Sequence, residues 1–542
     1  MSGAKGALLV ATGILASRLA GLIREAVFAQ YFGNTPVAAA FKAALRVPNF
    51  LQNLLGEGVL SASFIPVYSQ ALGAKDTEAA DKVAGAIFGL LSLVTAIVVA
   101  LGIVVTPGFI DLVAPGFEGE TRTLAISLVR ILFPMTGLMV LSAWCLGILN
   151  SHRRFLLSYA APVIWNGAMI AVMVAVGGRV VPERLAVYLA WGAVAGALLQ
   201  FAIQLPSVIR LLGAFRPSLS VKSPPVRQVL RSFGPVLIGR GVVQISSYVD
   251  LILASLISAV AVSTLDYAQR VYLIPVSLFG MAISAAELPE MSRATGELSD
   301  ASAKLRERVE KGLARVAFFV VPSVAAFVAL GDVIASALLE RGQFTAADSR
   351  LIWYVLIGSG IGLLAATQSR LFSSTFYALK DTRTPLNFAV IRVAVGAGLA
   401  YLLGVVLPRA LGIPHIIGTA GVAGAAGIAA WIEFLLLRRK LGKTIGPVPL
   451  GASRLLKLWA AAIAAALLGV SIKIALTHTF GASPAALTVW GGSFLPQPAL
   501  MPVATAVLVL GAFGVTYLGL TWAFGIPEAS AVLRRVLRRE SR

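Results

Sequence analysis

The sequence predicts an all-α polytopic membrane protein with about fourteen transmembrane helices: two parallel six-helix lobes and an extra C-terminal pair. Three observations carry that prediction. Apolar residues fill 58 % of the 542 positions and charged residues only 13 %, against about 25 % charged in soluble domains; the mean hydropathy is +0.87. Apolar runs of roughly the 20 residues needed to cross a bilayer recur from end to end. The chain also repeats: FIPVYSQALG at 64–73 aligns with ELPEMSRATG at 287–296 in its Pro, Ser, Ala and Gly.

Spans one and two, 6–30 and 36–68, are apolar yet carry Arg18, Arg24, Glu25, Lys42, Arg46 and Glu57. A charge at the centre of a membrane helix costs roughly 2.5–3.5 kcal/mol on insertion scales, so several together are expected to face a polar cavity or one another. The second span is too long for a single rod. Its Pro48, Gly56 and Gly58 predict a bend or break, which is tolerated where a helix lines protein or water.

Spans three to six, at 84–106, 124–149, 160–178 and 186–210, complete the first lobe, 1–219. The Pro-rich SVKSPPVRQ at 220–228 predicts the link to the second lobe, 220–445. Spans seven to twelve lie there, at 233–259, 264–292, 313–330, 351–377, 386–407 and 415–437. The eighth is again over-long and holds Pro275 and Gly280. Six spans separate the two repeat copies, so both run in the same direction through the membrane, as parallel repeats do. GVAGAAGIAA at 421–430 predicts close helix packing rather than a ligand loop. Spans thirteen and fourteen, 455–476 and 500–524, fall outside the repeat in 446–542. Lys473 and Arg130 read as lone residues snorkelling to an interface.

The net charge of +21 comes from Lys and Arg placed between apolar runs, such as Arg153 and Arg154, Arg306 and Arg308, and Arg438 to Lys440. That is the positive-inside pattern, not a nucleic-acid-binding face, and it puts both termini in the cytoplasm. The first helix lacks a cleavage pattern and reads as retained. The single Cys145 allows no intrachain disulfide and no Cys-based cluster, and His152, His415 and His478 lie far apart, so no metal site is expected. No HExxH, GxSxG or GxxxxGK[ST] constellation is present, which argues against an enzyme and against ATP hydrolysis. No cofactor is expected. Energy is left to ion gradients, membrane potential or cargo turnover, one charge being worth about 2.3 kcal/mol per 100 mV.

Arg18 and Glu25 are seven residues apart and share a helix face, with Arg24 roughly 120° round from Arg18. Lys42 and Arg46 lie one turn apart on the next helix, and Arg240, Asp250, Asp266 and Arg270 fall in or near the seventh and eighth spans. The excess of arginine points to an anionic cargo, a phosphate or pyrophosphate, because the guanidinium fork pairs with it bidentately and stays charged when buried. Two plainer readings stand beside this one: Arg18 and Lys42 snorkelling, and Arg24 with Glu25 as a structural pair. Glu57, between two glycines near mid-span, suggests a functional or gating role. Asp250 reads equally as an ion or proton site and as a partner for Arg240.

SRLAGLIREAVFAQYFG and FKAALRVPNFLQNLLGEGVLSASFIPVYSQ resemble the opening of the MurJ (MviN) lipid II flippases, within the MATE-like (MOP) exporter superfamily. The resemblance continues through GILNSHRRFLLSYAAPVIWN, GPVLIGRGVVQISSYVDLILASLI, DYAQRVYLIPVSLFGMAI, LLERGQFTAADS and FYALKDTRTP, covering roughly the first 400 residues. It implies fourteen helices, a cationic cavity between two lobes, and alternating access. The implied activity moves an undecaprenyl-pyrophosphate-linked peptidoglycan precursor to the outer leaflet of the bacterial inner membrane, for cell-wall synthesis. Arg18, Arg24 and Arg270 match the family's cavity arginines and Glu57 a cavity acid; the extra helix pair would form a groove for the lipid tail.

Two positions depart from the family, which often has an acid where Ala39 stands and an arginine where Gln52 stands. The losses offset in charge, and Arg46 is a partial substitute. Asp250 matches the acid of a sodium site in some relatives. The eleventh and twelfth spans here read RVAVGAGLAYLL and GVAGAAGIAA, without polar partners, which argues against sodium coupling. Expected partners are lipid II or a related polyprenyl-pyrophosphate glycolipid, membrane lipids, and other cell-wall synthesis or division proteins. The alternatives are a flippase for another polyprenyl-linked oligosaccharide, a MATE-like antiporter, and a membrane scaffold for cell-wall enzymes.

Overall fold

The computed structural model describes residues 3–281, 283–284, 287, 291, 301–449, 451–481 and 501–539. Every regular element among the described residues is helical. The longer α-helices in chain order are α1 (Gly3–Phe32), α2 (Pro36–Leu55), α3 (Glu57–Gly73), α4 (Thr77–Val113), α5 (Gly119–Ser151), α6 (Phe155–Val176), α7 (Pro182–Leu211) and α8 (Pro224–Ile257). There follow α9 (Ala259–Pro275), α10 (Ala301–Leu339), α11 (Ala346–Ala378), α12 (Arg383–Tyr401), α13 (Gly418–Ile445), α14 (Ala452–Phe480), α15 (Pro502–Ala523) and α16 (Pro527–Arg539). Ten helices among the described residues are long and apolar enough to cross a bilayer. They do not include α1, α2, α3, α8 or α9, which carry the charges and breaks already noted, so hydropathy does not by itself fix the number at fourteen.

The chain forms two compact units. The first comprises Met1–Ser263 with Arg341–Gln343. Its long second span is broken, as its Pro and Gly content suggests. The backbone turns out of the helix at Gly56 (φ −96°, ψ −132°), and a Cβ there would lie 2.4 Å from the Gln52 carbonyl oxygen. Gly33, at φ +59° between α1 and α2, sits so close to Gln343 that a Cβ would meet its carbonyl oxygen at 2.6 Å. Thr35 then caps α2, its hydroxyl accepting from the Ala38 amide at 3.3 Å, and Pro36 occupies the first turn, where its missing N–H has no partner to lose. Trp144, Phe64 and Tyr68 fill the core, with the Trp144 indole N–H donating to the Ala84 carbonyl at 3.2 Å.

The second unit comprises Thr264–Glu340 with Phe344–Arg542. The glycine stretch of α13 packs against α11 as the sequence suggests. A Cβ on Gly362 would lie 2.2 Å from the Gly427 Cα, and one on Gly358 2.4 Å from the Ala420 carbonyl oxygen. Removing the side chains lets the two backbones meet, the small-residue contact common in membrane bundles. Helix α10 is kinked at Leu330 (φ −132°, ψ 16°). Two residues on, the Asp332 carboxylate accepts from the Val333 amide at 2.8 Å, supplying an acceptor where the helical ladder is interrupted.

Lys473 does not snorkel. It is fully buried and pairs with Asp332, which is 1 % exposed, while its ammonium lies 5.7 Å from the centre of the Trp353 ring. A buried partner on α10 makes burial cheaper for this lysine than extending its stem to an interface. Arg130 remains exposed on α5, its Nε donating to the Ile103 carbonyl at 3.4 Å.

Candidate functional site

The charges of the first unit are gathered where α1, α2 and α6 meet. Arg24 and Glu25 are both buried on α1, and Lys42 is buried on α2. The Lys42 ammonium donates to Glu25 Oε1 at 2.7 Å, and Arg24 Nη2 lies 3.6 Å from Glu25 Oε2. One carboxylate thus contacts two buried cations. Aromatic faces supply further stabilisation. The Arg24 guanidinium lies 5.0 Å from the centre of the Trp165 ring, and the Lys42 ammonium 5.5 Å from that of Phe28, arrangements worth about 0.5–2 kcal/mol each as desolvation increases. Trp165 is itself fixed, its indole N–H donating to the Ala193 carbonyl on α7 at 3.1 Å. Phe28, Phe32 and Phe41 stack beside the cluster, with centroids 4.5 to 6.3 Å apart.

Arg18 and Glu25 share a helix face, yet Arg18 makes no contact with Glu25 among the described residues. Glu25 is bound to Arg24 and Lys42, whereas Arg18 is exposed two turns earlier on α1. The long side chains of adjacent residues can converge on one acid even though their Cβ atoms diverge by about 100°. The snorkelling alternative for Lys42 is likewise replaced by burial. Arg46 is half-buried one turn further along α2, and its backbone carbonyl accepts from the Tyr248 hydroxyl at 3.4 Å. Glu57 opens α3, but its side chain lies outside the described residues, as does that of Arg240. Asp250 is half-buried on α8.

In the second unit, Arg270 Nε donates to Asp266 Oδ2 at 3.1 Å, one turn back on α9. The carboxylate is 12 % exposed and the guanidinium 38 %, so the acid is held in the protein while the arginine side chain stays partly exposed. Sequence reasoning passed over a second charged group here. Arg392 on α12 donates to Glu433 on α13 at 3.1 Å, and Arg370 on α11 interacts electrostatically with both and with Tyr272 on α9. Each of these charges is isolated in an apolar run; that was the available signal, but no spacing connects residues on separate helices.

A family model described as "Lipid II flippase MurJ" matches residues 28–488. A protein of Rhizobium meliloti (strain 1021), "Probable lipid II flippase MurJ", is 34 % identical over 520 residues, covering 92 % of each chain. The chain belongs to the MurJ family. A "Lipid II flippase MurJ" of Burkholderia cenocepacia is 30 % identical over 71 % of this chain and 75 % of its own. A solved MurJ structure, "inward closed conformation", superposes with a TM-score of 0.74 at 24 % identity, covering 95 % of this chain and 98 % of that one. An inward-facing MATE multidrug transporter superposes at 0.63 with 18 % identity, over 79 % of this chain and 95 % of its own. Both solved structures share the helical fold, and the ten apolar helices make this MurJ-family chain a multi-pass membrane protein.

Proposed function

We propose that the protein moves lipid II, a polyprenyl-pyrophosphate-linked peptidoglycan precursor, from the cytoplasmic to the outer leaflet of the bacterial inner membrane by alternating access. It is a transporter, not an enzyme. The observation that carries the reading is the buried Arg24–Glu25–Lys42 group in a MurJ-family chain. A buried arginine stays charged and offers a planar donor fork that matches phosphate oxygens, so Arg24 in this group favours a ligand that brings negative charge. Arg18, Arg24 and Arg46 in the first lobe and Arg270 in the second hold the pyrophosphate. Glu25, which contacts Arg24 and Lys42, and Glu57 act as the gating acids of the cavity.

The lobes are 1–219 and 220–445, with 446–542 forming the added helix pair and basic tail. Both termini face the cytoplasm, as the loop lysines and arginines favour. Membrane potential or an ion gradient resets the cycle, with Asp250 as the ion or proton site; the apolar character of α12 and α13 disfavours sodium. No cofactor is required, and other cell-wall synthesis or division proteins are the partners.

The test is rescue of a bacterium whose own lipid II flippase can be switched off, with wild type, Arg24→Ala and Arg270→Ala expressed to equal membrane levels. Growth and outer-leaflet lipid II restored by wild type alone support both cargo and arginines. Rescue by all three keeps the cargo and removes these arginines from the mechanism. Failure of well-inserted wild type, with normal growth from a parallel MurJ control, refutes the lipid II reading.

A further inference from the structure

Tyr272, Arg370, Arg392 and Glu433 come from four different helices of the second unit, and none belongs to the site proposed above. Arg392 Nη1 holds Glu433 Oε2 at 3.1 Å, with the arginine side chain 38 % exposed and the acid 8 % exposed. Arg370, an exposed residue on α11, interacts electrostatically with Arg392, Glu433 and Tyr272, and Tyr272 on α9 does so with both arginines. Tyr377 on α11 lies in electrostatic range of Glu433.

Among the described residues, two permanently charged guanidinium groups, one paired with Glu433 and one in electrostatic range of it, meet one carboxylate, an excess of one positive charge within helices that otherwise read as membrane spans. Arg392 gives Glu433 one of its five N–H donors in the single ion pair described, and Arg370 makes no hydrogen bond or ion pair with any described residue. Arg370 and the Arg392 side chain keep exposed surface while the acid is enclosed, so guanidinium N–H donors beyond the one given to Glu433 remain. The Tyr272 hydroxyl is a neutral donor near the same group. An added monoanion would neutralise the cluster; a dianion would leave a net negative charge beside a buried carboxylate.

We propose that Arg370 and Arg392, assisted by the Tyr272 hydroxyl, form a binding site for a monovalent anion, a halide or a carboxylate, with Glu433 as the resident competitor for Arg392. The anion has two sources of the same chemistry: a free ion from solution, or a carboxylate carried by a transported molecule. The site does not depend on the proposed cargo.

The test uses the full-length protein in nanodiscs of neutral lipid, reading chloride binding from the excess ³⁵Cl NMR line width at constant ionic strength. Arg370→Gln and Arg392→Gln should each weaken chloride binding about tenfold relative to wild type, the effect of one charge-assisted hydrogen bond. Glu433→Gln should tighten it about tenfold, because the competing carboxylate is gone. That gain separates binding from a fold defect, which only weakens. Displacement of chloride by a soluble peptidoglycan precursor peptide at far lower concentration than by acetate assigns the anion to a transported molecule; equal displacement assigns it to a free ion. Unchanged affinity in both Arg370→Gln and Glu433→Gln, or weaker binding in Glu433→Gln, overturns the proposal.

Discussion

Replacing Lys473 with methionine tests how the C-terminal helices are fastened to their own unit. Met keeps most of the lysine's length and removes its charge, leaving Asp332 in a site where it is 1 % exposed. Removing one partner of a buried pair costs about 3–5 kcal/mol, because the remaining charge is uncompensated. Loss of the contact with the Trp353 ring adds about 0.5–2 kcal/mol. The neighbourhood has little capacity to relax: Leu330 is fully buried at the kink of α10, and a Cβ on Gly469 of α14 would already lie 2.9 Å from it. Asp332→Leu alone should be similarly damaging, since it strands the ammonium. The double variant Asp332→Leu/Lys473→Met should recover most of the loss, because no ion then remains in the apolar contact. The assay is equilibrium unfolding of the purified protein in mixed micelles by increasing SDS, followed by tryptophan fluorescence, for the two single variants and the double variant. A Lys473→Met cost below about 1 kcal/mol, or a double variant as unstable as the singles, would refute the reasoning.

Two further outcomes follow from local geometry. Gly362→Ala places a methyl group 2.2 Å from the Gly427 Cα, so α11 and α13 must separate; a loss of about 1–3 kcal/mol is expected in the same unfolding assay, and an unchanged midpoint would show that the contact is not tight. His152, in the turn between α5 and α6, bonds the Tyr68 hydroxyl at 3.0 Å. Burial, and then Arg154, hold its pKa below the ordinary histidine value against a smaller opposing effect of Asp81. The folded state therefore resists protonation. Stability from this group is complete above the unfolded pKa of about 6.5 and declines as pH falls through the lower folded value. Between pH 7.5 and 5.5 the wild type should lose more thermal stability than His152→Gln; equal losses would remove His152 as the cause.

The fold was legible because the bilayer imposes a strong local rule: an apolar run of the right length is a helix, whatever it packs against. The break at Gly56 and the contact of the 421–430 glycines were legible for related reasons. A proline–glycine interruption and a side-chain-free stripe are local features that leave few structural options. The charged groups were legible only as cost. Each of Arg24, Glu25, Lys42, Asp332, Arg392, Glu433 and Lys473 announces an unfavourable burial in its own helix, but its compensation comes from another part of the chain.

Lys473 shows where that reading ends. Alone in α14, it permits snorkelling and pairing equally; Asp332, 141 positions earlier, decides between them. Arg18 shows the converse: helix periodicity aligned it with Glu25, yet the acid turned to Lys42, whose ammonium approaches from α2. Periodicity assigns a residue to a face, and the bond it makes depends on which charge the neighbouring helix brings to that face. Glu25→Gln should therefore carry a distinct signature from Lys42→Met. The first leaves two buried cations without their shared acid, and the second leaves Arg24 and Glu25 balanced. Glu25→Gln should therefore be the more destabilising in SDS unfolding by about 1–3 kcal/mol; the reverse order would show that Glu25 is not the centre of the group.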